Sequence, residues 1–590
     1  MSKQEDIEYK AIDLKILKRL LVYLKPYKKW VAVSVVITII SSALAPVLPY
    51  LTKIAVDEYI EPKNWNGLIG IIFAIGVLLL LNAFLRFVLT YLMQWLGQKV
   101  LFDVRMSVFR HIQSLNMRFY DTNPVGRLVT RVTNDVEGLN ELFSQGVVMI
   151  AADIMLIFWI IGFMFYTNWE LSLLTLSIVP ILLLSTVIFR KRVRVLFRDI
   201  RLRVAEMNTF LNEFVSGINT VKVFTQEENQ NKKFDSINAK HKELWVRTVF
   251  YYAIFFPTVE MLSAIALGIV LWYAAGNILS GIMTVGILIA FTQYAEMFFR
   301  PIRDLTEKFT TLQSAMASAE RILSILDTKD IADDKPDAKD MLGFHKAIEF
   351  KNVSFSYDSA KWVLKDVTFT VNKGETVAIV GATGAGKTSI INLLCRFYDY
   401  NEGEILIDET DIRNLNQNSL REHFALVMQD VYLFSRTLAE NISLGKEHVS
   451  DEDIRRAASA LGAAEFIERL TSGYDTEMID RGSALSAGQR QLIAFCRAYA
   501  MNPEILILDE ATSNIDSETE RIIEQSLEKL LENRTSIIIA HRLSTIRRAD
   551  KIIVLHKGTI REIGTHRELL ALNGIYARLY QLQFKEQIAA

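Results

Sequence analysis

Residues Gly381-Ala-Thr-Gly-Ala-Gly-Lys-Thr388 set a lysine and a hydroxyl at the end of a run of small residues. The preceding ETVAIV reads as a buried strand and the following SIINLLCRF as a helix. Strand, G-x-x-x-x-G-K-T, helix is the context that makes such a match a phosphate-binding loop rather than a chance one. The backbone from Gly381 through Thr383, Gly384, Ala385 and Gly386 to Ser389, with the helix N-terminus, would cradle phosphates. Lys387 would neutralise β and γ oxygens, and the Thr388 hydroxyl would bind Mg²⁺.

A second apolar strand, ILILDE, ends in Asp509 and Glu510, at the carboxyl edge where a parallel sheet presents functional groups. Asp509 suits Mg²⁺ through water, and Glu510 suits polarisation of an attacking water. TSIIIAH would deliver His541 to the same edge and ALVMQ would deliver Gln429. A lone buried histidine is usually structural, but at a strand end beside a phosphate loop a γ-phosphate contact is favoured. A further small-residue turn, Ser486-Ala487-Gly488-Gln489, runs into another helix. It could also touch a phosphate, and one chain with one phosphate loop has no evident use for it.

These residues need an α/β domain to position them, and the alternation of strand-like and helical segments after residue 345 provides one. The polar stretch LDTKDIADDKPDAKD before it reads as a linker. The expected division is a transmembrane domain over residues 1–325, a linker over 326–345 and a nucleotide-binding domain over 346–585. Composition agrees with two such parts: 51% hydrophobic residues is too apolar for a soluble multidomain enzyme, and 23% charged residues is too many for a chain wholly in lipid. The net charge of −1 argues neither for nor against a polyanionic partner. Cys395 and Cys496 lack C-x-x-C spacing and read as reduced core residues.

The first half carries six apolar stretches, near residues 30–53, 67–94, 143–166, 170–189, 252–275 and 282–299, each about the ~20 residues that cross a bilayer as a helix. Lys and Arg crowd the N-terminus and residues 189–204, marking them cytoplasmic, while DEYIEPKNWN, YTNWE and GNILSG would lie outside. A cleavable signal is not expected, because no small-residue cleavage site precedes the first span. The connections from Trp95 to Glu141 and from Arg190 to Val249 keep helical periodicity, so spans two to five are expected to continue as helices beyond the membrane. Punctuated segments inside these connections, FYDTNPVGRLVTRVTND and EFVSGINTVKVFTQEE, would form turns at hairpin tips fit to dock a soluble domain.

Acidic residues within spans are costly, about 2.5–3.5 kcal/mol for a central Asp. Glu296 has Arg300 at i+4 as a local partner. Asp153 and Glu260 have none, and either line a watery substrate cavity or pair with another helix. Prolines at 46, 49, 180 and 257 can kink their helices.

Taken together, LSAGQRQL, ILILDEATSNID and IIIAHRLST resemble the ATP-binding-cassette (ABC) family, and the membrane half resembles its six-span exporters. The resemblance implies an all-α six-helix membrane domain with long cytoplasmic extensions, followed by an α/β P-loop ATPase domain. It implies ATP and Mg²⁺ as ligands, Tyr357 stacked on adenine, Gln429 linking Mg²⁺ to the membrane half, and Asp516 in the D-loop. Ser486, Ala487, Gly488 and Gln489 form the signature, which in that family completes the ATP site of the opposite subunit. The tips at residues 119–123 and 216–224 resemble coupling helices. The expected activity is ATP-driven export of amphiphilic drugs or lipids from the cell membrane, by one half of a dimer whose termini and ATPase domain are cytoplasmic. A peptide exporter and an ATP-gated channel or regulator on the same fold are the alternatives; no nucleic-acid partner is expected. Two departures from the family pattern, Ala487 in the signature and Ser513-Asn514-Ile515 before Asp516, resemble heterodimeric exporters, with a homodimer as the alternative.

Overall fold

The computed structural model describes residues 14–331, 334–358, 361–509, 517–540 and 543–588. The chain divides into two compact units, Met1–Ile112 with Gly126–Thr328, and Gln113–Val125 with Lys329–Ala590.

The first unit is helical. Among the described residues, five helical segments are long and apolar enough to cross a membrane: Lys15–Ile60, Trp65–Ser114, Val125–Thr167, Trp169–Ser216 and Glu227–Leu279. The Trp65–Ser114 helix has 50 residues and Glu227–Leu279 has 53, about 75–80 Å at 1.5 Å per residue and more than twice a bilayer core. The extensions expected from periodicity are therefore present. The change of environment is written along Trp65–Ser114: Ile69, Phe73, Leu80 and Phe87 are exposed, whereas Leu96, Val100, Val104, Val108 and Ile112 are buried. The second set recurs every four residues, the stripe of a helix that packs on one side only.

The sixth expected span lies in the Val285–Leu326 helix, which is not among the five. Gln293, Glu296 and Arg300 dilute its apolar run. Ala290, Phe291, Tyr294 and Phe298 are buried in a cluster with Ile160, Leu182, Phe189, Phe255 and Val259, so this helix meets protein along that face and does not need to be apolar all round. Within the cluster Phe189 stacks on Phe255 at 4.0 Å, and the buried Tyr294 hydroxyl donates to the Pro46 carbonyl at 3.1 Å.

Two prolines start helices rather than bend them. Pro46 is the N-cap of Val47–Ile54, and Pro180 lies in the first turn of Val179–Ser216, separated from Trp169–Leu176 by a break. A proline there gives up an N–H that has no helical acceptor anyway. Pro49 lies within Val47–Ile54, and Pro257 lies inside Glu227–Leu279.

Among the described residues the second unit holds ten strands: β1 (Ala347–Phe355), β2 (Leu364–Asn372), β3 (Thr376–Val380), β4 (Glu402–Ile407), β5 (Thr410–Asp411), β6 (Phe424–Val427), β7 (Ile505–Asp509), β8 (Thr535–Ile539), β9 (Lys551–His556) and β10 (Thr559–Gly564). They form an antiparallel sheet of order β2-β1-β4-β5 and a central sheet of order β10-β9-β3-β8-β7-β6. From β9 to β6 every pairing in the central sheet is parallel. Strands covered on both faces read as unbroken apolar runs, and β8 is buried at every position. One core joins a face of the central sheet to the antiparallel sheet through Phe350, Phe369, Ile379 and Ile537; the other lies under the helices Asp451–Ala460, Ala487–Ala500 and Ser517–Leu531. Cys395 and Cys496 are buried in these cores, and burial pushes both thiols up to about 12.

Gln113–Val125 belongs to this second unit although it lies in sequence among the membrane helices. Its short helix, Met117–Thr122, is capped by Asn116, whose side chain accepts from the Phe119 N–H. Asn116 N–H donates to the Asp330 carbonyl at 3.0 Å, and Leu115 bridges Ile331.

Candidate nucleotide-binding site

Register in the central sheet aligns the carboxyl ends that sequence patterns had singled out. Ile379 of β3 pairs with Ile539 of β8, Asp509 of β7 pairs with Ile539, and Leu508 pairs with Val427 of β6. The chain leaving β3 is the phosphate loop, and the chain leaving β6 reaches the exposed Gln429. Asp509 is half-buried at the end of β7. Glu510, Asp516 and His541 lie outside the described residues; sequence alone places Glu510 directly after β7 and His541 two residues after β8.

The loop fits a phosphate chain. Gly386 has φ +105°, and a Cβ there would lie 2.8 Å from Leu364 Cδ2 and 3.1 Å from the Val363 carbonyl oxygen. At Gly381 a Cβ would lie 2.3 Å from the Leu555 carbonyl oxygen. Glycine is required at both for close backbone approach. Over Gly384, with φ +79°, the space is open to 4 Å, and the Thr383 and Thr388 side chains are exposed beside it. Ala385 is buried against the core, and its N–H donates to the Ala382 carbonyl at 3.1 Å. Lys387 is buried, and its ammonium donates to the carbonyls of Gly381 at 2.8 Å and Ala382 at 3.2 Å. Burial draws its pKa below the ordinary lysine value, while the Asp509 carboxylate pulls it back up. Carbonyl dipoles hold the ammonium in hydrogen bonds without neutralising it, so a polyphosphate at the loop would gain a strong charge interaction.

Tyr357 is tied to the loop. Its hydroxyl pairs with Ser389 Oγ at 3.1 Å and accepts from Asn392 at 3.2 Å, so the half-buried ring stands over the helix that begins at Lys387. Its ring packs edge-on against Phe355 at 4.7 Å and Tyr398 at 5.0 Å. The Tyr398 hydroxyl in turn donates to Asp121 on the Met117–Thr122 helix. Burial and the Asp121 charge both raise the pKa of that phenol, which keeps it a donor.

Ser486 caps the Ala487–Ala500 helix: its hydroxyl accepts from the Gln489 N–H at 3.2 Å, and Gln489 Oε1 accepts from the Ser486 N–H at 2.9 Å. Ser486 and Ala487 are exposed and Gly488 is buried. Ala487 has no positive φ; it occupies the first helical position, where alanine is at ease. Backbone strain is therefore no reason to expect glycine there, and the methyl matters only through what approaches it. Ser513, Asn514 and Ile515 lie outside the described residues.

In the first unit, Asp153 is half-buried on Val147–Thr167 and Glu260 is exposed on Glu227–Leu279, so the two candidate cavity acids stand on different helices and in different surroundings. Glu296 and Arg300 are both exposed, and among the described residues no ion pair joins them.

The family model for the ABC transporter transmembrane region matches residues 31–302, and the model described as ABC transporter matches residues 364–513. The chain is 41% identical over 572 residues to the "Uncharacterized ABC transporter ATP-binding protein YknV" of Bacillus subtilis (strain 168), covering 97% of this chain and 95% of that one. This chain belongs to the ABC transporter family. It is also 37% identical over 577 residues to the "Putative multidrug export ATP-binding/permease protein YgaD" of the same organism, covering 96% of this chain and 99% of that one. With the "ATP-dependent lipid A-core flippase" of Syntrophus aciditrophicus (strain SB) it shares 36% identity over 571 residues, 97% of this chain and 95% of that one.

As an ABC exporter half, the protein is a multi-pass membrane protein whose α/β unit is an ATP hydrolase coupled to transport. Residue patterns missed two features of this ABC half-transporter. One is Tyr398, although an aromatic immediately after the phosphate-loop helix, in CRFYDY, was a signal to follow. The other is the Asn392 and Ser389 tether of Tyr357, which no local pattern reveals because the partners are 35 and 32 residues away.

Proposed function

We propose that the chain is one half of a dimeric exporter that moves amphiphilic drugs or lipids outward across the cell membrane, with its termini and ATPase unit in the cytoplasm. The observation that carries the reading is the Met117–Thr122 helix: a segment between two membrane helices is built into the ATPase unit through Asp121, Tyr398 and Tyr357, beside the phosphate loop. In this reading Tyr357 stacks on adenine, the loop from Gly381 to Ser389 binds the phosphates, and Lys387 neutralises them. Thr388, Gln429 and Asp509 would hold Mg²⁺, which supplies charge neutralisation of the phosphates when bound. Glu510 polarises the attacking water and His541 holds the γ-phosphate. Ser486, Ala487, Gly488, Gln489 and Asp516 face the other subunit's nucleotide. Asp153 and Glu260 contribute to the path of cationic cargo.

The second hairpin tip, helix Ile218–Val223, leaves Val215, Val223 and Phe224 exposed, which suits docking on the second subunit. We further propose that this second subunit is a different polypeptide. Ala487 supports this through proximity alone, since its methyl would stand where the opposite γ-phosphate approaches; Asn514 and Ile515 add a second departure from the family pattern.

Energy-dependent uptake of a cationic amphiphilic dye into inside-out vesicles tests the transport reading, with Glu510→Gln vesicles as control. Equal uptake with and without ATP, or ATP-dependent conductance without accumulation, would replace the exporter with a gated channel. Expression of the chain alone tests the partner: inactivity relieved by co-expression of a second half-transporter is expected, and a homodimer with robust, cargo-stimulated hydrolysis would refute the heterodimer.

A further inference from the structure

The first unit contains an apolar cavity of about 210 Å³ far in sequence from the phosphate loop. Its walls come from four places in the chain: Leu17, Leu21 and Leu24 of the N-terminal helical segment, Val35 of Lys28–Leu44, Leu96 of Trp65–Ser114, and Ala151 of Val147–Thr167. The two hydroxyls on its surface are spent within their own helix: Ser34 Oγ donates to the Trp30 carbonyl at 2.9 Å and Thr38 Oγ1 to the Ser34 carbonyl at 2.8 Å. A space without unsatisfied polar groups holds no ordered water, and a cavity of about 150 Å³ with such a lining already binds a small hydrocarbon. This one is larger, and in a membrane protein the hydrocarbon on offer is an acyl chain.

The rim supplies the headgroup chemistry. The segment that walls the cavity with Leu17, Leu21 and Leu24 alternates those leucines with Lys18 and Lys25, both exposed, and Lys28 and Lys29 follow it. Leucines toward a cavity and lysines toward water make an amphipathic basic segment of the kind that lies in the interface of anionic bilayers. We propose that this cavity is a site for an anionic phospholipid, one acyl chain between the N-terminal segment and the helix bundle and the phosphate against Lys18 and Lys25. The lipid would hold the N-terminal segment to the bundle, a role separate from the cargo and independent of the exporter reading.

The test uses the full transporter complex in detergent, delipidated and titrated with phosphatidylglycerol or with phosphatidylcholine of the same acyl chains, and bound lipid is counted by native mass spectrometry. Wild type should retain phosphatidylglycerol in preference to phosphatidylcholine. Ala151→Phe, which fills the cavity, should weaken phosphatidylglycerol retention at least tenfold. Lys18→Gln with Lys25→Gln should keep a bound lipid but reduce the preference for phosphatidylglycerol about thirtyfold, the effect of two surface lysines on an anionic lipid. Should Ala151→Phe fail to fold, Val35→Phe fills the same space from another helix and carries the same expectation. Equal retention of the two lipids by wild type, as for a loose annular shell, would overturn the proposal. So would undiminished phosphatidylglycerol in a folded cavity-filled variant.

Discussion

Asp135 joins two parts of the first unit that are 186 residues apart. Its carboxylate accepts from Arg321 Nε at 3.0–3.1 Å and from Arg131 at 2.7 Å, and Arg321 also donates to Ser318 at 3.0 Å. Its side chain is 11% exposed, against 18% for Arg131 and 29% for Arg321. Asp135→Asn keeps the shape, removes the charge and turns an NH₂ group toward two guanidinium groups. Removing one partner of a buried ion pair costs about 3–5 kcal/mol, and Arg321's access to water puts this case near the lower end, about 3 kcal/mol. At about 2 °C per kcal/mol for a unit of this size, melting of the complex in lipid nanodiscs, followed by tryptophan fluorescence, should fall by about 6 °C. Arg321→Leu should cost a similar amount, because it leaves the carboxylate with one cation. Joint replacement, Asp135→Leu with Arg321→Leu, should cost much less than the sum of the singles, since an apolar pair needs no counter-charge. A shift under about 1 °C for Asp135→Asn, or strictly additive singles, would refute the reasoning.

Lys387→Ala should weaken nucleotide binding by at least tenfold, the scale of a lost charge-assisted hydrogen bond, measured by equilibrium titration with a fluorescent ATP analogue; unchanged affinity would contradict the assigned role. Glu510→Gln should lower steady-state hydrolysis about a hundredfold or more while leaving that affinity intact, and near-normal turnover would remove Glu510 from the mechanism. Tyr398→Phe deletes the hydroxyl that meets Asp121 without disturbing the ring against Tyr357, so basal hydrolysis should persist while cargo stimulation falls by half or more; unaltered stimulation would make the contact mere packing. His566 has its pKa lowered by burial, with Arg547 and Arg567 adding to the effect, and its Nδ1 pairs with the Tyr576 hydroxyl at 2.6 Å. A depressed folded-state value means its contribution is complete above the unfolded value of about 6.5 and is lost as pH falls through the folded one, so His566→Gln should flatten the acid-side decline in melting temperature below pH 6.5. An unchanged decline would assign it to other groups.

What the sequence reveals here follows the range of the interaction. The phosphate loop and the turn at Ser486 are settled by residues within a few positions of each other, and both were legible. So were the long helical extensions, because the apolar stripe from Leu96 to Ile112 repeats without a break. The sixth helix, Val285–Leu326, was legible as well, and it is less apolar than the other five because neighbours enclose Phe291 and Tyr294, so it need not be apolar all round. Proline counts suggested kinks at positions 46 and 180, where the chain in fact breaks and restarts. The Asp135–Arg321 link, the Tyr357 tether and the N-terminal cavity depend on residues tens to hundreds of positions apart, and no periodicity carries such information.

The two hairpin tips show why one chain is an incomplete machine. Met117–Thr122 is satisfied within the chain: Asn116 meets Asp330, Leu115 bridges Ile331, and Asp121 meets Tyr398. Ile218–Val223 has the same length but leaves Val215 at 65% exposure, Val223 at 76% and Phe224 at 66%. Apolar side chains so exposed on and beside a short helix at the end of two long ones gain nothing from water, and clustered they mark a contact surface. The signature turn repeats the pattern, with Ser486 and Ala487 exposed at the start of a well-capped helix, and an exposed helix N-terminus is fit to meet an anion. In the dimer proposed above, a partner covering both surfaces would account for them together, whereas a monomer would have to hold two separate features with no use for either.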